Sequence, residues 1–323
     1  MYYTKQIKKI SLALILLVTL NSCSSDDDNN TVAQEQTITE IAVESQNLTS
    51  LVAALQAAGL AETLNGDGPF TVFAPTDAAF SAFLTANGFS QLSEVPVDLL
   101  TQVLLNHVIS GELMSGDLST SYGNTLATTT SGENLSIYIN TSNGVRLNNI
   151  SSVSQADINA SNGVIHIVDA VIGLPSVVDF ALADPTFETL VAALTRDDLT
   201  FDYVTTLSTP NGTSPAPFTV FAPTNQAFGD LLTELGASGL SDISEPVLKA
   251  TLDHHAVAGA NVQSSSLTDN MIVGTLGGNI TINVTGGATI TDANNRVSNI
   301  IAVDVQALNG VIHAIDKVIL PPL

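Results

Sequence analysis

Five histidines, His107, His166, His254, His255 and His313, and one cysteine, Cys23, are the groups in this chain best suited to acid–base, metal or nucleophilic chemistry. Four of the histidines recur as two pairs. His107 and His255 each close an apolar helical run and stand four residues before Gly111 or Gly259; His166 and His313 each end an Asn-Gly-Val-Ile-His string. An imidazole at a helix end can bond the last carbonyls and shape the turn that follows. In a strand, the carboxylate three positions on, Asp169 or Asp316, faces the other way, so a two-ligand metal site from either pair is not expected. All four read as structural rings that satisfy backbone groups. No Gly-x-Ser-x-Gly elbow, His-Glu-x-x-His, Walker loop or Rossmann glycine fingerprint occurs. No catalytic residue, no metal ligand and no cofactor is therefore expected.

The elements that must position these rings are organised around Thr71-Val-Phe-Ala-Pro-Thr76, which returns as Thr219-Val-Phe-Ala-Pro-Thr224 after 148 residues. Val72 and Phe73 favour a strand, and Pro75 pushes Ala74 into extended backbone while removing a ladder donor. Thr76 and Thr224 then stand where a helix N-cap is wanted, with Ala79, Phe80, Phe83 and Leu84 at helical spacing behind the first of them. A buried strand, a proline stop and an immediate amphipathic helix thus occur twice. The chain is a tandem repeat of one domain.

Before the repeats, Lys5, Lys8 and Lys9 precede an apolar run from Ile10 to Leu20, too short for a comfortable bilayer span and shaped like a secretory signal, residues 1–22. Leu20-Asn21-Ser22-Cys23 resembles a bacterial lipobox, and lipidation of Cys23 accounts for a lone thiol in an exported chain. Residues 23–35 follow as an acidic tether whose Ser-Asp-Asp-Asp start resembles the surface-export signal of Bacteroidetes lipoproteins. The chain is expected in the outer membrane, exposed on the cell surface. All 31 acidic residues lie beyond Cys23 against five basic ones, a formal charge of −26. Such a field repels nucleic acid and anionic headgroups, and leaves cationic partners open.

The first domain is placed at 36–175. Ile41 to Leu60 supply two short helices with Gly59 as a stop, and Val97–Val108 reads as another helix. From Thr125 the period becomes two: Leu135, Ile137 and Ile139 alternate with polar residues, and Asn143-Gly144 signals a hairpin turn toward Val145 and Leu147. Further strands are expected at 150–158 and 164–172. The second domain, 176–323, repeats the order, with nine more residues between Leu190-Val-Ala-Ala-Leu194 and its Thr-Val-Phe motif; the Pro, Gly and Ser of 208–217 make a surface loop. Helices early and strands late in each repeat argue an α+β fold.

The Thr-Val-Phe-Ala-Pro-Thr and Asn-Gly-Val-Ile-His strings, with the histidine motif between them, resemble the fasciclin-like (FAS1) domain family over essentially everything beyond the tether. That resemblance implies two tandem domains, each a bent β-sandwich or wedge with several short helices. It also implies a binding or adhesion module for an extracellular protein or polysaccharide. In many such domains a Tyr precedes the histidine of the helix end, a region associated with adhesion; Asn106 and His254 stand there in this chain. The absence of Trp counts against a strong sugar-stacking site. The alternatives are an accessory subunit of an outer-membrane glycan-uptake assembly and, third, an unrecognised hydrolase.

Overall fold

A computed structural model describes residues 35–322. The readings at residues 1–34, Cys23 among them, lie outside the described residues. The first repeat opens with α1 (Ile38–Glu44), α2 (Thr49–Ala57) and α3 (Ala61–Asn65), then β1 (Phe70–Pro75), α4 (Asp77–Ala86), α5 (Val97–Leu105) and β2 (Val108–Ser110). Strands β3 (Ser121–Thr128), β4 (Asn134–Asn140), β5 (Arg146–Leu147), β6 (Ser151–Ala160) and β7 (Gly163–Val168) complete it. The second repeat runs α6 (Val177–Ala183), α7 (Glu188–Leu194), α8 (Tyr203–Leu207), β8 (Phe218–Pro223), α9 (Asn225–Leu235), α10 (Glu245–Asp253) and β9 (Ala256–Ala258). It ends with β10 (Met271–Gly274), β11 (Asn279–Asn283), β12 (Thr289–Thr291), β13 (Val297–Ala307) and β14 (Gly310–Ile315).

Each repeat forms one seven-stranded sheet, β2-β1-β7-β6-β5-β4-β3 and then β9-β8-β14-β13-β12-β11-β10. The motif strand pairs in parallel with the closing strand, β1 with β7 and β8 with β14; the other pairs are antiparallel. The sheet bends at its longest strand, where β6 carries register shifts and Asp157 has φ 61°. Bulges of this kind turn a strand and increase its local twist. Alternation along β1 then serves two cores. Val72 and Ala74 join Ile38, Leu51, Phe80 and Leu100 beneath the helices. Phe73 points the other way, into the bend, where it meets Ile137, Ile139 and Leu147 of the far half-sheet. The result is an α+β wedge with a helical layer on one side.

Three local expectations need correction. The two helices expected over 41–60 form as α1 and α2, but a third, α3, that was not expected restarts after Gly59 (φ 68°). Helix α5 stops at Leu105, not 108: Val108 is taken by Val72 as a strand partner, and the Phe73 N–H donates to the His107 carbonyl at 2.9 Å. Tertiary pairing overrides the helical period there. Strand β7 ends at Val168, whose carbonyl accepts the Thr76 N–H.

The alternation expected in the hairpin also fails on one face, and the cause is the neighbouring domain. Ser136 and Tyr138, on the polar side of β4, are 1% and 4% exposed. Ser136 Oγ accepts the Gln306 N–H at 2.9 Å, and Tyr138 is part of the second domain's apolar core. Tyr122 packs edge-on to Phe180 at 5.6 Å and donates its hydroxyl to Asp184 at 3.0 Å. The join is short and pinned on both sides: Asn106 donates to the Gly173 carbonyl (2.9 Å), and two residues later the Pro175 carbonyl accepts the Leu308 N–H (2.8 Å). In the second domain the matching strand β11 keeps its outer face partly open.

Candidate functional site

Thr76 and Thr224 cap α4 and α9 by accepting the Ala79 and Ala227 N–H groups, each at 3.2 Å. The next residue ties that helix to an earlier one. Asp77 accepts the Ser50 N–H (2.6 Å) and the Thr49 hydroxyl (2.8 Å); in the second copy Asn225 accepts the Thr189 N–H and donates to the Pro185 carbonyl, both at 2.8 Å. Burial alone would raise the Asp77 carboxyl, but the bonds from Ser50 and Thr49 outweigh it and hold the group below its ordinary value.

His107 and His255 are fully used. Nδ1 bonds the carbonyl one turn back, Val103 at 2.7 Å or Thr251 at 2.8 Å, and Nε2 accepts the N–H of Ile172 at 2.9 Å or Ile319 at 3.0 Å. These two contacts require an imidazole protonated on Nδ1 only. Burial pushes both rings down to about 4, and the carbonyl bond offsets that only in part. His254 bonds the Ala250 carbonyl and lies under Gly277, where a Cβ would fall 2.2 Å from its Nδ1.

His166 and His313 hold a different segment. Nδ1 accepts the N–H of Asp157 (3.2 Å) or Asp304 (3.3 Å), each at a positive-φ bulge, and Nε2 donates to the carbonyl of Leu113 or Val262 at 2.9 Å. The rings stack on Phe73 and Phe221 at 5.5 and 5.6 Å. Burial lowers the His313 ring, against the Val262 bond and the Asp304 charge. The same segment is gripped by Thr71, which donates to the Gly111 carbonyl and accepts the Leu113 N–H, both at 2.8 Å, and by Asp157, which accepts from Ser115. Thr219 and Asp304 repeat these contacts at Ala260, Val262 and Ser264.

The structure thus brings Thr71, His166 and Asp157 onto one loop, while Thr76 and His107 serve separate backbone groups. Among the described residues no group of three or more His, Cys, Asp or Glu could hold a metal ion. Sequence reasoning missed two fasteners. Asn162 and Asn309 accept the first N–H of α1 or α6 and donate to two carbonyls at the end of α3 (Leu64, Gly66) or α8 (Leu207, Thr209). Their recurrence in matching strings was the available signal. Tyr122 and Asp184 had none, since neither has a like counterpart in the other repeat.

Two surface features bear on recognition of a partner. A cleft of about 210 Å³ at the domain junction presents Asn140 and Asn149 from one side and Asp184 and Glu188 from the other. On the second domain Ile272, Ile301 and Val303 are 68%, 56% and 44% exposed.

A Fasciclin domain family model matches residues 46–175 and 185–321. Protein sll1483 of Synechocystis sp. is 39% identical over 136 residues, 42% of this chain and 72% of that one. Transforming growth factor-beta-induced protein ig-h3 of Oryctolagus cuniculus is 30% identical over 268 residues; the match covers 80% of this chain and 35% of that protein. A FAS1 domain pair from the insect cell adhesion molecule Fasciclin I aligns with TM-score 0.49 and 18% identity, over 84% of this chain and 97% of that chain.

Proposed function

The chain belongs to the Fasciclin domain family, with two copies of the domain in tandem, and from that premise we propose that it is a lipid-anchored, cell-surface binding module for an extracellular protein or polysaccharide. Fasciclin domains occur in cell adhesion proteins. The observation that carries binding over catalysis is the use of the histidines: both ring nitrogens of His107, His166, His255 and His313 are spent on backbone groups. A general base needs a lone pair or proton within reach of a substrate. What faces outward instead is a pair of domains held in one orientation, with an acidic surface and exposed apolar residues on the second.

The test is a panel of extracellular matrix proteins and polysaccharides probed with the chain lacking its leader. Saturable binding that weakens at least tenfold in Ile301→Asp, with unchanged melting, is expected; turnover of an ester, glycoside or peptide abolished by one folded histidine variant would replace this reading with an enzyme. The anchor is tested separately. Cys23→Ser should abolish labelling by a fatty-acid analogue and release the protein or leave it unprocessed. Replacing Asp26, Asp27 and Asp28 by Ala should then leave a lipidated protein that protease cannot shave from intact cells.

A further inference from the structure

The two repeats differ most between their third helix and its neighbours, and that difference surrounds a cavity. The paired asparagines set the correspondence: Asn162 donates to the Leu64 carbonyl and Asn309 to that of Leu207, so these two leucines occupy one position. From Leu55 to Leu64 is nine positions and from Leu194 to Leu207 is thirteen. Four of the nine extra residues therefore precede Leu207, and the remaining five follow it in the 208–217 loop. The four-residue part is not slack. Arg196 donates to the carbonyls of Leu240 and Ile243, both at 2.7 Å, and the Thr200 hydroxyl donates to Glu245 at 2.8 Å.

Behind this strap α6, α7 and α8 arch over β8 and β14 around a cavity of about 140 Å³, floored by Val220 and Ile312. Only two lining side chains carry a polar atom beyond the backbone, and both atoms are engaged elsewhere. The Tyr203 hydroxyl meets Asp253 (2.5 Å) and the Lys249 carbonyl (3.1 Å), leaving its ring toward the cavity; the Thr195 hydroxyl donates to the Val191 carbonyl at 2.8 Å. A buried water needs roughly two to four polar partners, and an apolar cavity of about 150 Å³ stays dry and accepts benzene. Leu182 and Val204, 57% and 39% exposed, lie where the lining reaches solvent. No ionisable side chain other than Tyr203 lines the space, and the chain carries a formal charge of −23. A carboxylate headgroup would find no cation there and would meet a repulsive field.

We propose that this cavity is a binding site for a neutral hydrocarbon group of about benzene's size, either a free molecule or the end of an alkyl chain entering past Leu182 and Val204. This site is independent of the adhesion reading. The test uses the compact unit Glu35–Leu323 with methyl-labelled side chains, titrated with benzene, n-hexane, 1-hexanol and hexanoate. Saturable shifts are expected at Val177, Val191 and Val220, and none at their first-domain counterparts Ile38, Val52 and Val72. Hexanoate should bind at least tenfold more weakly than 1-hexanol. Ala181→Phe, at the half-buried edge of the lining, should weaken benzene at least tenfold. If 1-dodecanol binds as well as 1-hexanol, the site takes a chain end; if it does not, the site takes a free molecule. Shifts that never saturate, that appear alike in both domains, or that are as strong with hexanoate would overturn the proposal. The wild-type titration decides this even if the phenylalanine variant fails to fold.

Discussion

At the scale of single residues, the histidines make the fold sensitive to acid. His107 and His255 sit at about 4 when folded, against an ordinary imidazole value of 6.5, because burial disfavours the charged ring. Below pH 6.5 the unfolded chain takes up protons that the folded chain refuses, so stability is whole above that pH and falls toward pH 4. Each ring is expected to remove about 2 kcal/mol between its unfolded pKa and about pH 5. Urea melts across that range should show the slope, and His107→Gln should flatten it while lowering stability at neutral pH. Below the ordinary carboxylate range a second loss begins, since hydrogen bonds hold Asp77, Asp157, Asp202 and Asp269 low. A glycine supplies the other residue-scale prediction. A Cβ on Gly163, at φ 146°, would stand 2.0 Å from the Phe70 carbonyl oxygen. Gly163→Ala should cost more than about 4 kcal/mol or prevent folding, because backbone cannot yield as a side chain can; a soluble variant with unchanged melting would refute the close approach.

At the scale of elements, the hairpin strand β4 shows where a sequence pattern and a structure part company. Its alternation was legible, and Ile137 and Ile139 do fill the bend core. Its other face was not, because Ser136 and Tyr138 are polar-capable residues buried by a partner 170 positions or so away in the chain, beginning with Gln306. Tyr122 and Asp184 fasten the same face. Burial and the Asp184 charge push the Tyr138 hydroxyl up to about 12, and burial raises that of Tyr122 as well, so both stay protonated at any physiological pH. Tyr122→Phe should leave a mostly buried Asp184 oxygen without its donor and destabilise the pair by about 1–3 kcal/mol. Denaturation should register that loss, and Asp184→Asn should partly rescue it. An unchanged midpoint would mean that water replaces the hydroxyl.

At the scale of the whole molecule, each repeat holds its own bend core and its own helical core, so residues 36–175 and 176–323 are expected to fold separately. They should not be equal to the pair. Separation uncovers Tyr122, Tyr138 and Phe180 and breaks the bond between Pro175 and Leu308 if the cut falls there. Each half should therefore melt below the joined chain, and mixing the halves should recover part of the difference; identical melting would show that the junction contributes nothing. A join with this little slack favours a fixed presentation of both domains to a partner.

The duplicated strings by themselves determined the two-domain α+β architecture, the strand-stop-helix at Thr76 and Thr224, and the positions of the recurring histidines, since these depend on local backbone chemistry and on apolar period. The destinations of the four Nε2 atoms of His107, His166, His255 and His313, the early end of α5, the loop grip by Thr71 and Asp157, and the burial of Ser136 and Tyr138 were decided by tertiary structure. In each case the partner is a backbone group or a face tens to hundreds of residues distant, and a hydrogen bond across that separation leaves no periodic trace in either segment. The cavity in the second domain belongs to the same class: four added residues are visible in the sequence, but whether they leave space behind them depends on how three helices settle on a sheet.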